Sequence, residues 1–376
     1  MKERIILYGC GEEAKRFYLQ NYNKYEIVFA IDKNAETLRL FYRVPVFVLD
    51  EVRSKIRDTK IMIAMNSSNY QAVKKNLLEL GLKENEDFVW WKEKLKAIIY
   101  GNCHMNVIKE ILLSSSEFKR RYTLNMHSVN SLDEKVLEND LAYADLVISQ
   151  DIKDDNKLKV PGVNDIKKRT MGVVLTIPNL YGMNFFYPQL CGKINIDLSF
   201  YNSVHVNMNG RGDSFVEDSY ENGCDILTVI NQIKSGNVYD SVHVKKLFKN
   251  TMGKLKEREL YCDISISDFI EEKYQIRQLF YEPQHPTNLV LFEKANRILQ
   301  KLDMCRINWD KSRVSPMNGM DGKEIFIYGC VKKELGLKFE QDQIRNNYSQ
   351  TLTGAPYCIE EWVEDYYKML DVQRGE

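Results

Sequence analysis

Short apolar runs alternate with helical spacing over the first hundred residues. Four runs of three to five residues predict buried strands, at residues 5–8, 27–31, 61–65 and 88–90. Between the last two, residues 70–80 have the apolar spacing of a helix. Strands that alternate with helices favour a small doubly wound parallel sheet, so we expect a Rossmann-like α/β fold in this part of the chain.

The alternation begins again near residue 97 and predicts a second, larger α/β unit. Apolar runs predict further strands at residues 97–100, 122–127, 144–150 and 173–177. Helical spacing predicts helices at residues 105–113 and 131–141. The pattern weakens after residue 184. A later amphipathic helix is predicted by its apolar positions, which are Leu289, Phe292, Ala295, Ile298, Leu299 and Leu302.

The length of the chain also predicts more than one domain. A chain of 376 residues is too long for one ordinary core, and about two domains of roughly 100–250 residues are expected. The charged residues 92–96 separate the two predicted α/β units. We therefore expect a smaller domain in residues 1–95 and a larger one in residues 96–376.

Composition and charge exclude several classes of protein. The 53 basic and 53 acidic residues cancel, so no overall field points to nucleic acid. No stretch approaches the roughly 20 apolar residues that span a bilayer, and the N-terminus lacks the apolar core of a signal peptide. The eight cysteines form no Cys-x-x-Cys pair and the five histidines are scattered. We therefore expect a cytoplasmic protein with reduced thiols and no metal.

A glycine-rich turn follows the first predicted strand. Gly9 and Gly11 belong to a G-x-G-x-x-A pattern that ends at Ala14, and Asp32 ends the second strand eighteen residues later. Such turns bind nucleotide phosphates at a helix N-terminus, and an acidic side chain after the second strand binds ribose. The pattern predicts a nucleotide or nucleotide-sugar site at Gly9, Gly11 and Asp32. The alternative is a tight turn that only packs well.

Three reactive side chains follow the first strand of the second domain. Gly101 ends this strand, and Asn102, Cys103 and His104 then place an amide, a thiol and an imidazole on successive residues. Turns between a strand and a helix are where α/β folds present nucleophiles and N–H donors. This turn is the strongest chemical signal in the sequence.

Two later strands of the same domain also end in polar residues. Gln150 ends one of them and Asn179 closely follows the other. The carboxyl ends of parallel strands line one crevice of an open sheet. We therefore expect Gln150 and Asn179 to lie close to the turn at Cys103.

A second histidine precedes the later amphipathic helix. Glu282 and His285 have the spacing of the D-x-x-H pair that supplies the acid and base of many serine esterases. A carboxylate can fix the imidazole tautomer while the other nitrogen reaches a nucleophile. The alternative for His285 is a capping or packing residue before the helix.

Four motifs in order resemble the WcbI family of capsular-polysaccharide biosynthesis enzymes, over most of residues 97–340. They are Gly101-Asn102-Cys103-His104, Ser149-Gln150-Asp151, Ile177-Pro178-Asn179-Leu180-Tyr181 with Tyr187-Pro188, and Gln284-His285-Pro286-Thr287-Asn288. The resemblance implies an α/β fold distantly similar to SGNH-type esterases, coenzyme A binding, and O-acetyl transfer to a bacterial surface polysaccharide. The first domain resembles the nucleotide-sugar-binding domain of bacterial sugar O-acyltransferases, on Gly9, Gly11, Asp32 and the Asn66-Ser67 turn.

The resemblance also implies roles for individual residues. Cys103 stands where the esterase nucleophile stands and His285 where its histidine stands, with Glu282 in place of the usual aspartate. With acetyl-CoA as the donor, His285 could activate Cys103 to form an acyl-enzyme. In a direct route, His104 or His285 would instead deprotonate the sugar hydroxyl.

Further positions are expected to bind the reacting groups. The three backbone N–H groups of Asn102 to His104, with Asn179, would hold the oxyanion, and Gly101 and Gln150 are further candidates for the oxyanion or substrate. Lys168 and Arg169 could contact the phosphates of coenzyme A, the alternative being a solvated surface loop.

Other functions stay open on the sequence alone. The same constellation could serve a carbohydrate esterase or deacetylase, with water as the acceptor. The chain could also be a non-catalytic protein that binds coenzyme A or a nucleotide-sugar. We expect a sugar or polysaccharide precursor as partner and leave a homo-oligomer open.

Overall fold

The computed structural model describes residues 2–57, 59–92, 94–191, 212–236, 238–308, 324–341 and 358–375. The chain divides into two compact units. The first comprises residues 1–97 and 121–123, and the second comprises residues 98–120 and 124–376. Each unit is an α/β structure, so the fold class predicted from the sequence is confirmed.

The first unit contains a six-stranded sheet in the order β3-β4-β2-β1-β5-β6. Its elements are β1 (Glu3–Tyr8), α1 (Glu12–Asn21), β2 (Tyr25–Ile31), β3 (Leu40–Phe41), β4 (Val44–Phe47), α2 (Leu49–Val52), β5 (Ile61–Ile63), α3 (Ser67–Glu79) and β6 (Phe88–Trp90). Neighbouring strands are parallel except β3 and β4. Burial of the apolar runs explains this sheet, because residues 5–8 of β1 and all of β5 are buried and pack with side chains of α1 and α3.

The pair β3–β4 is a short hairpin that the apolar pattern did not predict. Tyr42 and Arg43 form its two-residue loop with φ values of 45° and 71°. Both values are positive, as the twist of a two-residue hairpin requires. The loop has no glycine or asparagine to signal such a turn in the sequence.

The second unit begins with a four-stranded sheet in the order β10-β9-β7-β8 and continues mainly as helices. Its elements are β7 (Leu95–Gly101), α4 (His104–Ser114), α5 (Ser116–Arg121), β8 (Tyr122–Ser128), α6 (Glu134–Leu141), β9 (Leu146–Gln150), α7 (Val163–Arg169), β10 (Val173–Ile177), α8 (Ser214–Glu221), α9 (Ile226–Ser235), α10 (Ser241–Glu259), α11 (Ser267–Lys273), β11 (Phe280–Glu282), β12 (His285–Pro286), α12 (Asn288–Lys301), α13 (Gly329–Leu335) and α14 (Ile359–Arg374). Because β7 starts at Leu95, the charged stretch 92–96 runs directly into a strand; Glu93 lies outside the described residues.

Helices α8 to α14 share a large apolar core rich in aromatic side chains. The sequence pattern was weakest here, because α10 is long and mostly polar, with only one buried stripe that includes Val244, Met252 and Leu255. Helix α12 packs against α4, which brings the segment before α12 to the end of β7. Among the described residues, we find no helix that is both long and apolar enough to cross a bilayer.

Candidate active site

The turn after β7 is shaped by the close approach of two strand ends. A Cβ atom added to Gly101 would lie 2.4 Å from Oε1 of Gln150, the last residue of β9. Such a contact is far below van der Waals distance, so a side chain cannot fit here without displacing the glutamine. Glycine at this position therefore lets β7 and β9 end side by side.

A pair of buried amides then fixes the turn. The Asn102 N–H donates to Gln150 Oε1 at 2.7 Å, and Gln150 Nε2 donates back to Asn102 Oδ1 at 2.9 Å. The N–H of His104 donates to the same Asn102 oxygen at 3.1 Å. Gln150 therefore uses both ends of its amide to hold the turn.

The sulfur of Cys103 faces His285 across the turn. Cys103 is half-buried at the start of α4, and its Sγ lies 3.8 Å from Nε2 of His285. On the other side of the ring, Nδ1 of His285 forms an ion pair with the carboxylate of Glu282. The structure thus brings these three predicted residues into one constellation.

A tight hairpin explains the spacing of the histidine and its acid. Glu282 ends β11 and His285 begins β12, and the two residues are directly paired across an antiparallel hairpin. Only Pro283 and Gln284 lie between them, as in a two-residue hairpin loop. The Glu-x-x-His spacing therefore places both side chains side by side on one small and rigid element.

The contacts of His285 favour its charged form. Burial lowers the pKa of His285, but the contacts with Cys103 and Glu282 outweigh burial and raise this pKa to about 9. An imidazolium beside a cysteine is one of the surroundings that produce a reactive thiolate. The geometry can therefore support an activated sulfur nucleophile.

His104 has a different environment although it adjoins Cys103 in sequence. Its side chain is 1% exposed, and its Nε2 lies 2.6 Å from the Gln284 carbonyl oxygen. Burial, with Lys294 and His285 nearby, lowers the pKa of His104 to about 3. The ring is therefore neutral, Nε2–H donates to the carbonyl, and Nδ1 is buried without a hydrogen-bond partner.

Two basic residues beside the site were not identified from the sequence. Lys294 of α12 is fully buried, and its ammonium donates to the Pro178 carbonyl. Burial lowers the pKa of Lys294 to about 7. Lys294 lies four residues before the core residue Ile298, so helical periodicity could have placed it on the buried face.

Arg258 of α10 holds the same loop from another direction. One guanidinium nitrogen donates to the carbonyls of Asn179 and Tyr181, at 2.7 and 3.1 Å. The backbone after β10 is therefore fixed by two cations. The Asn179 side-chain oxygen, in contrast, is buried without a hydrogen-bond partner.

Lys168 and Arg169 are not among the residues that surround Cys103. They line an open cleft of about 560 Å³ together with four carboxylates, those of Glu134, Asp154, Asp155 and Asp165. Arg169 forms ion pairs with Glu134 at 3.1 Å and with Asp165 at 2.6 Å. Acidic groups outnumber basic ones here, which disfavours a phosphate.

In the first unit, Gly9, Gly11 and Asp32 surround one turn. A Cβ on Gly9, whose φ is 106°, would lie 2.8 Å from the Ala64 carbonyl oxygen, so packing alone requires this glycine. One Asp32 oxygen accepts from the Cys10 N–H at 2.8 Å and the other from the Asn34 N–H at 2.9 Å. Asp32 therefore supports the turn directly.

The fold and the site define an α/β protein with a cysteine–histidine–glutamate constellation at the end of its second sheet. A sequence model described as polysaccharide biosynthesis enzyme WcbI matches residues 96–306, more than half of the chain. This chain therefore belongs to the WcbI family of polysaccharide biosynthesis enzymes, as the four motifs predicted.

A solved structure of WcbI is similar to this chain, with a TM-score of 0.57 and 16% sequence identity. The match covers 74% of this chain and 90% of that one. That structure is described as the native protein without a disulfide bond between coenzyme A and one of its cysteines. At this identity the similarity shows a shared fold. No curated protein matches the chain.

Proposed function

We propose that this chain is a CoA-dependent O-acetyltransferase that acts on a sugar of a bacterial surface polysaccharide. The observation that carries the proposal is the line from Glu282 through His285 to the Cys103 sulfur, 3.8 Å from the imidazole. Membership in a family of polysaccharide biosynthesis enzymes supports a sugar or polysaccharide precursor as the acceptor. The coenzyme A named for the WcbI structure supports an acyl thioester as the donor.

Buried polar atoms within the WcbI-like motifs fit a polar ligand. Asn102 Nδ2, Asn179 Oδ1, Thr287 Oγ1 and Asn288 Oδ1 are all buried and lack a hydrogen-bond partner among the described residues. A buried polar group without a partner is costly, and most such groups in proteins are satisfied. These residues would hold the donor and acceptor, and the donor would supply an activated acyl group.

In the covalent route, the Cys103 sulfur attacks the acyl carbon of the thioester and forms a new carbon–sulfur bond. The donor's carbon–sulfur bond breaks, and His285 gives its proton to the leaving thiolate. The sugar hydroxyl then attacks the acyl-enzyme and passes its proton to His285. The Cys103 sulfur leaves as a thiolate, which restores the starting pair.

The turn offers two donors to the oxyanion of this reaction. The N–H groups of Asn102 and His104 already have acceptors, so the expectation that all three backbone N–H groups of the turn are available needs revision. The Cys103 N–H has no bond to a described residue in the turn, and Asn102 Nδ2 is buried and unpartnered. We assign the oxyanion to these two donors.

In the direct route, the neutral form of His285 would act alone as the base toward the sugar hydroxyl, and its raised pKa disfavours this route at neutral pH. His104 suits this role poorly, because its ring is almost fully buried and its Nε2 is bound to Gln284. We therefore assign His104 to fixing the hairpin against α4. The acetyl donor also supports a reaction in the cytoplasm.

Replacing Cys103 and His285 tests the proposal and separates the two routes. Cys103→Ala should lower acetyl transfer from acetyl-CoA by at least about 10³-fold, as loss of a nucleophile does in related mechanisms. His285→Ala should have a similar effect, whereas Cys305→Ala, at an exposed cysteine, should leave the rate unchanged.

Each other outcome has a defined meaning. Full activity of Cys103→Ala would eliminate the covalent route, and full activity of His285→Ala would eliminate both routes. Release of acetate from an acetylated glycan, without transfer from acetyl-CoA, would establish an esterase instead. A thermal-shift screen with coenzyme A species that shows no stabilisation would count against the acyl donor.

For the first unit we propose a nucleotide or nucleotide-sugar site at the turn of Gly9 and Gly11. A Cβ at Gly11 would meet no atom within 4 Å, so the backbone at the start of α1 is open to a phosphate. Glu12 and Glu13 oppose this by adding negative charge in the first turn. Stabilisation by UDP-sugars that is lost in Gly11→Val would support the site.

A further inference from the structure

Cys103, His104 and His285 form a cluster with a second chemical capacity. Within the described part of the chain, this is the one group of three histidine, cysteine or acidic side chains whose ligand atoms lie mutually close, all within 4.8 Å. We propose that these three residues bind a thiophilic divalent cation such as Zn²⁺, and that this cation competes with acyl transfer for the Cys103 sulfur.

The donor set and its dimensions suit such a cation. Zinc takes cysteine sulfur at about 2.3 Å and histidine nitrogen at about 2.0–2.1 Å, in tetrahedral sites with three protein ligands and one open position. The ligand atoms of such a tetrahedron lie about 3.3–3.8 Å apart. The Cys103 Sγ to His285 Nε2 distance is 3.8 Å, and the widest pair of ligand atoms, within 4.8 Å, must close by about 1 Å to complete the set.

The second contact of each histidine matches the arrangement found around bound metals. Metal-binding histidines usually pass their other N–H to a carboxylate or a backbone carbonyl. His285 has Glu282 at Nδ1, which aims Nε2 at the sulfur. His104 has the Gln284 carbonyl at Nε2, which leaves the Nδ1 lone pair buried without a partner.

The sequence alone gives no sign that these three side chains lie close together. His104 adjoins Cys103, but His285 is 181 residues further along the chain, so no zinc spacing appears in the sequence. The hairpin of β11 and β12, packed on the start of α4, supplies the missing ligand. The fold thus brings His285 to two ligands, Cys103 and His104, that are adjacent in sequence.

Binding of the cation and acyl transfer exclude each other, because both need the Cys103 sulfur. On binding, the Cys103–His285 pair releases its protons at Sγ and Nε2 to solvent, and each atom gives a lone pair to the cation, so the sulfur cannot attack an acyl carbon. The cation would also occupy the His285 nitrogen that serves as acid and base. This consequence depends on the proposed acetyl transfer, but the binding itself does not.

Titration of the reduced full-length chain with Co²⁺ tests the site, because cobalt bound by a thiolate gives a sulfur-to-metal charge-transfer band. We expect one equivalent to bind with that band. Cys103→Ser should remove the band, His285→Ala should weaken binding by at least about 100-fold, and Glu282→Gln should weaken it about 10- to 100-fold. Cys305→Ala, at an exposed cysteine, should bind as the wild type does.

A parallel activity assay keeps this inference separate from the proposed function. Zn²⁺ should inhibit acetyl transfer, and a chelator should restore it. Transfer in chelator without any cobalt–thiolate band in the metal titration would overturn the metal site alone. A band in the titration together with no transfer in chelator would overturn the acetyltransferase alone. A band that survives in Cys103→Ser, or disappears in Cys305→Ala, would place the metal elsewhere.

Discussion

The turn after β1 and the turn after β7 have similar contacts but hold their cysteines in different surroundings. In each, a glycine permits close packing at the end of a strand, and a cysteine lies one or two residues later. In each, a side chain from the end of a neighbouring strand accepts a backbone N–H of the turn. Asp32 does this for Cys10 at 2.8 Å, and Gln150 does it for Asn102 at 2.7 Å.

The two cysteines nevertheless have opposite surroundings. Cys10 is 6% exposed, and burial together with the Asp32 carboxylate raises the pKa of its thiol to about 12. Cys103 is half-buried and lies beside His285, whose pKa is raised to about 9. A strand–turn–helix element therefore presents a thiol, but the residues opposite the turn decide whether that thiol can react.

Thiol labelling should show the largest difference between the two turns. At pH 7.5, iodoacetamide should modify Cys103 at least about 100-fold faster than Cys10, because the thiolate is the reacting form and Cys10 is both buried and held protonated. Peptide mass spectrometry over time measures both rates in one sample. The difference should vanish in denaturant, and rapid labelling of Cys10 in the folded chain would break the comparison.

Substitution of one glycine in each turn should have unequal effects on stability. Gly101→Ala forces a methyl group against Gln150 and should lower the free energy of unfolding by about 1–3 kcal/mol, with loss of activity as Cys103 shifts. Gly11→Ala enters open space at a helix N-cap and should cost less than about 1 kcal/mol. Denaturant unfolding measures both variants. Equal losses of unfolding free energy in Gly101→Ala and Gly11→Ala would contradict the difference in packing between the two turns.

Alkaline pH tests the buried thiol of Cys10 directly. The folded chain holds the Cys10 proton up to a pKa of about 12, whereas the ordinary value is 9. Stability from this group is therefore complete below about pH 9 and declines as the pH rises toward 12, by at most about 1.4 kcal/mol per pH unit.

Comparison with two variants isolates the contribution of the Cys10 thiol to the free energy of unfolding. The stability of wild type relative to Cys10→Ala should fall between pH 8.5 and 10.5, as followed by denaturant unfolding. Asp32→Asn removes one of the two causes of the raised pKa, so its decline should be shallower than that of the wild type. Parallel curves for wild type and Cys10→Ala would show that the buried thiol is not held protonated.

Much of the framework could be predicted from the sequence, because buried strands leave continuous apolar runs. The runs at residues 5–8 and 98–100 became β1 and β7, and the helix expected after Cys103 is α4. The hairpin of β3 and β4 was missed because its loop, Tyr42 and Arg43, lacks the usual turn residues. Of the helices after residue 212, α12 was predicted from its apolar face, whereas α10 was not delimited because its mostly polar surface hides a single buried stripe.

In the site, too, motifs that are short in sequence were predicted, whereas contacts between distant segments needed the structure. The chemistry of Gly101 to His104 and the Glu282–His285 pair are local patterns, and both were identified. Two features were not identified, the burial of Lys294 and the engagement of Gln150 with Asn102. The engagement of Gln150 depends on which strand ends lie together, which no spacing along the chain encodes, whereas the burial of Lys294 follows the helical period of α12.

The hairpin that joins Glu282 to His285 also sets the order in which the site can form during synthesis. Cys103 leaves the ribosome about 180 residues before His285, so its sulfur meets no imidazole partner from this hairpin while the intervening chain is made. Only docking of the hairpin on α4, through the contact of His104 with the Gln284 carbonyl, completes the pair. The nascent chain thus carries Cys103 without its imidazole partner, and the pair arises together with the finished fold.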